Sequence, residues 1–484
     1  MLDTDTVPVV PKASRRRARS RLTAAPSPAT VTSPSTTARG GATDVTATGA
    51  IHTIAGTPAT GAIRTLGPNP ATAPIVLHPG DSISNGRRIV YIILLGALTA
   101  LGPFTVDLYL PAFPVLEADF QTTATMIQLT LTGTMLGFGL GQLIVGPLSD
   151  KVGRRIPLLA VTALHVVASI AAALAPTLIA LGAARVLMGM GAAAGGVVAM
   201  AIVRDLFGGR RLVIMLSRLA LVSGVAPVAA PLIGSALLIV MPWRGIFVVL
   251  AAYGAIMLVC AIFLVPETLP KARRSGRSST TVLERYKSVL SDRVFIGVLI
   301  IGAMTFSGLF SYLSSSSFLF QSTFGFDAQQ YGLLFAVNSL GVVVGVQAAS
   351  RLAARFGPQW VMAFSTAVLV VASASIIVLD QLGAGLWGVM VPLFLFMAAC
   401  GFTFPCVQVL ALDRHGKAAG TAASLVGATN FGVAGLISPI VGWIARDAGI
   451  TPTTMAVVMT GCAIIGLISL WTIVRPRTIG LLSP

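Results

Sequence analysis

The sequence predicts an all-α membrane protein of twelve transmembrane helices arranged as two six-helix halves, and three observations carry that prediction. The 484 residues are 55% apolar and only 10% charged, with a mean hydropathy of +0.88. A water-soluble fold could not hide that much apolar surface. From Ile89 onward, apolar runs of about twenty residues recur, each long enough to cross roughly 30 Å of hydrocarbon at about 1.5 Å per residue. The cations gather in the N-terminal tail and in alternate loops, the pattern that keeps basic loops on the cytoplasmic side. A formal charge of +17 would suggest nucleic acid in a soluble protein, but its placement here argues for a lipid bilayer and against nucleic acid.

Residues 1–86 are rich in Thr, Ala, Pro, Gly and Ser, carry a basic cluster from Arg15 to Arg21, and show no sustained apolar period. They are expected to form a disordered basic cytoplasmic tail. The tail lacks the apolar central run of a secretory signal, so the first membrane helix directs insertion. The arginine cluster either lies on the anionic inner leaflet or stays in the cytoplasm, with a transit-peptide role as a second reading.

The apolar runs then fall near 89–113, 125–146, 157–175, 177–202, 213–240, 244–266, 294–320, 328–350, 358–380, 384–411, 417–445 and 452–474. Residues 87–266 form an N-terminal six-helix bundle, 267–293 a linker loop, 294–475 a C-terminal bundle and 476–484 a second cytoplasmic tail. The linker carries Lys271, Arg273, Arg274, Arg277, Arg285, Lys287 and Arg293, which places it, and with it both termini, in the cytoplasm. The opposite loops carry Glu117, Asp119, Asp327, Asp380 and Asp447 against only Arg244 and Arg446. A faint repeat supports two halves, since Ser350 to Gly357 aligns with Gly146 to Gly153, Ala354 standing where Asp150 stands.

Between the second and third helices, Gly146-Pro147 is expected to end the incoming helix and Gly153 to allow a tight reversal, while Lys151, Arg154 and Arg155 hold the turn inside. Asp150 is either a solvated counter-charge or an acid facing the positive N-terminal end of the eleventh helix, which opens around Gly416 to Gly427. Two ionisable residues lie far inside apolar runs, Asp107 in the first helix and Arg185 in the fourth. A charge at that depth costs at least about 2.5–3.5 kcal/mol, so each faces a partner or a cavity. Three readings stay open for Asp107: a structural pair with Arg185, a carboxyl that gains and loses a proton while Arg185 holds its ionised form, or a side chain reaching outer water. Pro103 and Pro111 remove backbone donors around it. In the fifth helix Pro227, Pro231 and Gly234 supply small, closely spaced surfaces, for sliding or for static packing. Tyr109, Met188, Tyr312, Asn338 and Asn430 are candidate cavity residues by helix position alone.

Enzyme chemistry finds no support. Gly416-Lys417 is followed by Ala, so no phosphate-binding loop occurs. The four Cys lie in apolar runs and the four His are scattered, giving no metal spacing and no expected cofactor. His165 reads as a packing residue ahead of a proton relay.

The turn at 146–155 resembles the G-x-L-(S/A)-D-(R/K)-x-G-R-(R/K) signature of major facilitator transporters. Val106-Asp-Leu-Tyr-Leu-Pro111, Val203-Arg-Asp205 and the run at 419–424 resemble the Bcr/CflA group of drug:proton antiporters, which includes bicyclomycin and chloramphenicol/florfenicol exporters. The resemblance implies a monomeric, multi-pass protein of the cytoplasmic membrane that exports small amphipathic drugs against protons by alternating access. It implies a proton-handling role for the acid at Asp107, a fourth-helix motif at Arg185, a conformational latch at Gly146, Asp150, Gly153, Arg154 and Arg155, and an antiporter motif at Pro227, Pro231 and Gly234. The chain departs from the group at Met188, where Gln is usual, at Ala226-Pro227, where Gly-Pro is common, and at Thr99, where some relatives carry a second acid. An exporter of an endogenous metabolite or a proton symporter would share the fold, and a polytopic sensor or membrane enzyme is the reading from a different class.

Overall fold

Twelve helices long and apolar enough to cross a bilayer are present among the described residues, which in this computed structural model are 83–271, 274, 282–413, 415, 419–446 and 449–478. The expected tail, 1–86, lies almost wholly outside them, as do Gly416 to Ala418 and the last six residues.

The chain runs through α1 (Asn85–Asp107), α2 (Phe113–Asp119), α3 (Ala124–Val152), α4 (Arg155–Ala173), α5 (Leu178–Leu206), α6 (Gly209–Val240), α7 (Trp243–Leu264), α8 (Val282–Leu290), α9 (Arg293–Ser317), α10 (Ala328–Phe356), α11 (Pro358–Gln381), α12 (Gly385–Asp413), α13 (Ala419–Ile437), α14 (Ile440–Ile444) and α15 (Pro452–Ser469). Polar side chains at the loop edges start several of them. Asp292 accepts from the Val294 amide, Asp327 and Gln330 form a reciprocal capping box on α10, and Thr451 with Thr454 does the same for α15.

Two bundles form. In the first, α1 packs on α5 and α6, α3 on α5, and α4 on α5 and α7; in the second, α9 packs on α12, α13 and α15, and α12 on α10 and α11. The bundles meet along two principal seams, α3 against α13 and α6 against α10. Outward-facing residues such as Ile93, Val167, Phe263, Val371 and Leu436 are exposed, as lipid contact requires. Exposed tryptophans mark both ends of this belt, Trp360 and Trp471 beside the basic loops and Trp387 and Trp443 at the opposite face.

Three expectations are corrected. The first helix is not continuous through Asp107: α1 ends there, and a turn and a 3-10 segment at Leu110–Ala112 lead into α2. Pro111 lacks the N–H that would bond the Asp107 carbonyl four residues earlier, so the α-helical ladder stops at the acid. Gly146-Pro147 does not end the second membrane helix. α3 continues through Pro147 to Val152, with the Ser149 hydroxyl back-bonding to the Gly146 carbonyl at 2.8 Å, and the reversal is confined to Gly153 and Arg154. The linker is not all loop, because residues 282–290 form α8, whose apolar positions 286, 289 and 290 share one helical face, and which packs on α9 and α13.

Candidate functional site

The turn after α3 is fastened to the first bundle through one guanidinium. Arg154 pairs with Asp150, donates from Nε to Asp205 at the end of α5 (2.9 Å), and donates from an NH1 to the Ser149 hydroxyl (2.8 Å). The Arg154 amide donates to Glu267 beyond the end of α7 at 2.9 Å, the Arg155 amide to the same carboxylate at 3.4 Å, and the Arg274 guanidinium lies 3.5 Å away. Burial alone would lift the Glu267 carboxyl, but the Leu269, Arg154 and Arg155 amides and the Arg274 charge outweigh it and hold the group below its usual range. Asp205 and Glu267 were not singled out in the sequence as partners of the turn. The available signal was weak, two acids just past the ends of apolar runs whose third neighbour is strongly basic.

This cluster rims a cavity of about 1250 Å³ between the bundles. Asp150, Lys151, Arg204, Asp205 and Tyr286 of α8 stand at its mouth, so it opens toward the basic face. Deeper, the walls are Phe138 and Gln142 of α3, Phe306 of α9, Phe404 and Gln408 of α12, and Asn430 and Phe431 of α13. From α1 come Thr99, Gly102 and Pro103. Among the expected cavity residues only Asn430 lines it. Tyr109 is fully buried, bonded to the Thr130 hydroxyl at 2.6 Å, and Met188 is buried with its carbonyl facing His165 at 3.3 Å. His165 also meets Ser169, at 3.4 Å from Nε2, and packs within the first bundle.

Asp107 lies one helical turn beyond Pro103, away from the mouth, and is 4% exposed. The 3-10 segment just after it, Leu110–Ala112, packs on α9 and α10 of the second bundle. Asn338 donates to the Tyr312 hydroxyl at 3.3 Å, and Ser316 and Tyr331 share a 2.9 Å hydrogen bond. Tyr312 and Asn338 therefore sit in a buried cluster of polar side chains, called here the polar chamber, instead of on the cavity wall. The Oδ1 of Asp107 and the Oδ1 of Asn338 have no hydrogen-bond partner.

Arg185 stands on the other side of α1. It donates to the Thr105 carbonyl at 2.8 Å and lies over the Tyr109 ring, 4.1 Å from its centroid. Its Nε and NH2 have no hydrogen-bond partner, so in this conformation it braces the backbone two residues before Asp107 without pairing with the carboxyl. The fifth-helix motif packs beside the same break. A Cβ on Gly234 of α6 would fall on the Leu108 carbonyl, and the Pro231 carbonyl with the Ser235 hydroxyl faces Gly332 of α10. α6 thereby touches both the residue next to Asp107 and the second bundle.

Beyond the chamber the bundles are closed. Gln128 of α3 donates to the Ser314 carbonyl (3.2 Å), Gln321 donates to the Pro111 carbonyl (3.1 Å), and Phe113 packs on Phe318 at 5.6 Å between ring centres. Of the run expected to receive Asp150, Gly416 to Ala418 lie outside the described residues; Gly420 and Thr421, near the start of α13, line the same cavity as Asp150.

Two six-helix bundles that enclose a solute-sized cavity, open at one face and closed at the other, define a membrane transporter. The chain belongs to the Major Facilitator Superfamily, whose family model matches residues 93–439. It is 33% identical over 396 residues to the MFS-type transporter YdgK of Bacillus subtilis, covering 81% of this chain and 97% of that one. It is 27% identical to a bicyclomycin resistance protein homolog of Haemophilus influenzae, covering 78% and 95% of the two chains. It is also 27% identical to the multidrug resistance protein MdtL of Escherichia coli O157:H7, covering 80% and 97%. Among solved structures it is similar in fold to the xylose transporter XylE of E. coli in a partially occluded inward-open conformation, with a TM-score of 0.63 at 12% identity over 80% of this chain and 98% of that one. The human organic anion transporter MFSD10 matches with a TM-score of 0.60 at 19% identity over 80% and 100%.

Proposed function

We propose that this chain exports small amphipathic molecules, phenicol-like antibiotics among them, across the cytoplasmic membrane in exchange for protons. The relatives named for bicyclomycin and multidrug resistance support the substrate class. The observation that carries the proton coupling is Asp107, a carboxyl buried between the bundles with an unbonded oxygen, at the point where α1 breaks. The basic loops are assigned to the cytoplasm, with both termini, which makes this conformation inward-open.

In the proposed cycle Asp107 is neutral while sealed in the chamber, because a buried unpaired carboxylate costs several kcal/mol. Rocking of the bundles opens the Gln128–Ser314 and Phe113–Phe318 contacts, wets the chamber from outside and exchanges the proton. Arg185 positions the acid by holding the Thr105 carbonyl and the Tyr109 ring, and Gly234 keeps α6 against the break. On the inner side Asp150, with Gly146, Gly153, Arg154 and Arg155, forms the latch that closes the mouth, and residues 267–293 tether two bundles spanning 87–266 and 294–475. The protein acts as a monomer.

The test uses inside-out vesicles with an imposed proton gradient. Adding chloramphenicol dissipates the gradient with the wild-type protein and leaves it intact with Asp107→Asn. Equal dissipation by both proteins contradicts the reading.

A further inference from the structure

The acid proposed to carry the proton and the cavity proposed to carry the substrate do not touch. A cluster of phenylalanine rings forms part of the cavity wall on the stretch of α1 that leads to the acid. On α1 the cavity wall reaches Gly102 and Pro103 and stops there, while Asp107 one turn farther is closed off. The tip of the Phe138 ring meets that stretch, where a Cβ on Gly102 would stand 3.3 Å from its Cε1. Phe138 stacks on Phe431, with ring centres 4.8 Å apart and planes 17° from parallel. Phe431 in turn meets Phe306 edge-on at 4.8 Å and Phe310 at 6.3 Å. Phe138, Phe306 and Phe431 line the cavity, whereas Phe310 is 5% exposed and lies two residues before Tyr312 of the chamber.

The cluster also crosses the division of the molecule. Phe138 belongs to the first bundle, and Phe306, Phe310 and Phe431 belong to the second. Rotation of the bundles must therefore slide or part the Phe138–Phe431 stack, and an aromatic solute wedged against it competes for the same faces.

We propose that the Phe138–Phe431 stack is a water-excluding gate between the substrate cavity and Asp107. Closed, it keeps cavity water and its protons from the carboxyl. Opened by bundle rotation or by a solute displacing one ring, it joins the two compartments. Its consequence for coupling rests on the proton-carrier role given to Asp107, but the barrier itself does not.

The barrier is measured with the full chain in sealed inside-out vesicles, treated at the exposed basic face with a membrane-impermeant carbodiimide and an amine, followed by peptide mass spectrometry. Asp150 at the mouth reports that the reagent enters the cavity, and Asp119 at the opposite face reports that the vesicle and fold stay sealed. Wild type is expected to label at Asp150 and not at Asp107. Phe138→Ala and Phe431→Ala are expected to raise Asp107 labelling severalfold with Asp119 still protected, and Phe138→Trp to restore protection. Asp107 labelling in the wild type as fast as at Asp150, or alanine variants that leave Asp107 protected while Asp150 labels, overturns the gate. If the alanine variants expose Asp107 but Asp107→Asn leaves gradient dissipation unchanged, the gate stands and the proton-carrier reading falls. The opposite combination removes the gate alone.

Discussion

Gly153 adopts φ +112 and ψ +166, a region only glycine occupies without strain, and a Cβ there would fall on the Glu267 carboxylate. Gly153→Ala is expected to cost roughly 1–3 kcal/mol and to lower the melting temperature of the detergent-solubilised protein. Glu267 gives the same turn a pH dependence. Its carboxyl is held below its unfolded value, so the stability it contributes is present above the ordinary carboxylate range and is lost as the pH falls through the depressed folded value. Glu267→Gln should lower the melting temperature at neutral pH and flatten its decline in acid; an unchanged acid profile would show that the clamp carries no stability. At this scale the sequence exposed the charged residues but not their partners. Asp107 and Arg185 stood out because ionisable groups are rare at membrane depth, whereas their separation by the body of α1 depends on helix rotation, which a near-uniform apolar run does not encode. The Phe138, Phe306 and Phe431 cluster left no distinguishing mark, since phenylalanine is ordinary in any membrane helix.

At the scale of elements, the twelve spans were legible to within a few residues, because bilayer thickness fixes their length and charged turns punctuate them. The breaks inside them were not. Pro111 interrupts the helix four residues upstream of itself, and Pro147 interrupts nothing, so a proline marks a missing donor without saying whether the neighbouring structure absorbs the loss. The helix α8 was hidden by the basic residues of its segment, which led to its being read as a loop. α6 illustrates an element whose small residues left static packing and sliding both open. Its Gly234 lies against the Leu108 carbonyl, beside the end of α1. Gly234→Val is expected to push α6 from α1, at a cost of roughly 1–3 kcal/mol or more. Drug-resistance assays in an efflux-deficient host should then show loss of protection at near-normal protein levels. Full protection would show that the close approach has no part in transport.

For the whole molecule, the two bundles, their seams and the cavity compose four layers: a charged mouth, an aromatic-walled cavity, the polar chamber and Asp107, and an outer closure made by Gln128, Gln321, Phe113 and Phe318. The division into halves was readable from the basic linker and the weak repeat, but the layering was not, because it arises only when helices distant in sequence meet. The coupling proposed above makes substrate and proton exchange through one carboxyl. It is tested most directly by counting protons released to a weakly buffered solution when chloramphenicol is added to the purified protein. Release by the wild type and none by Asp107→Asn, with chloramphenicol binding retained in both, is the expected result. Equal release by the two proteins would contradict it.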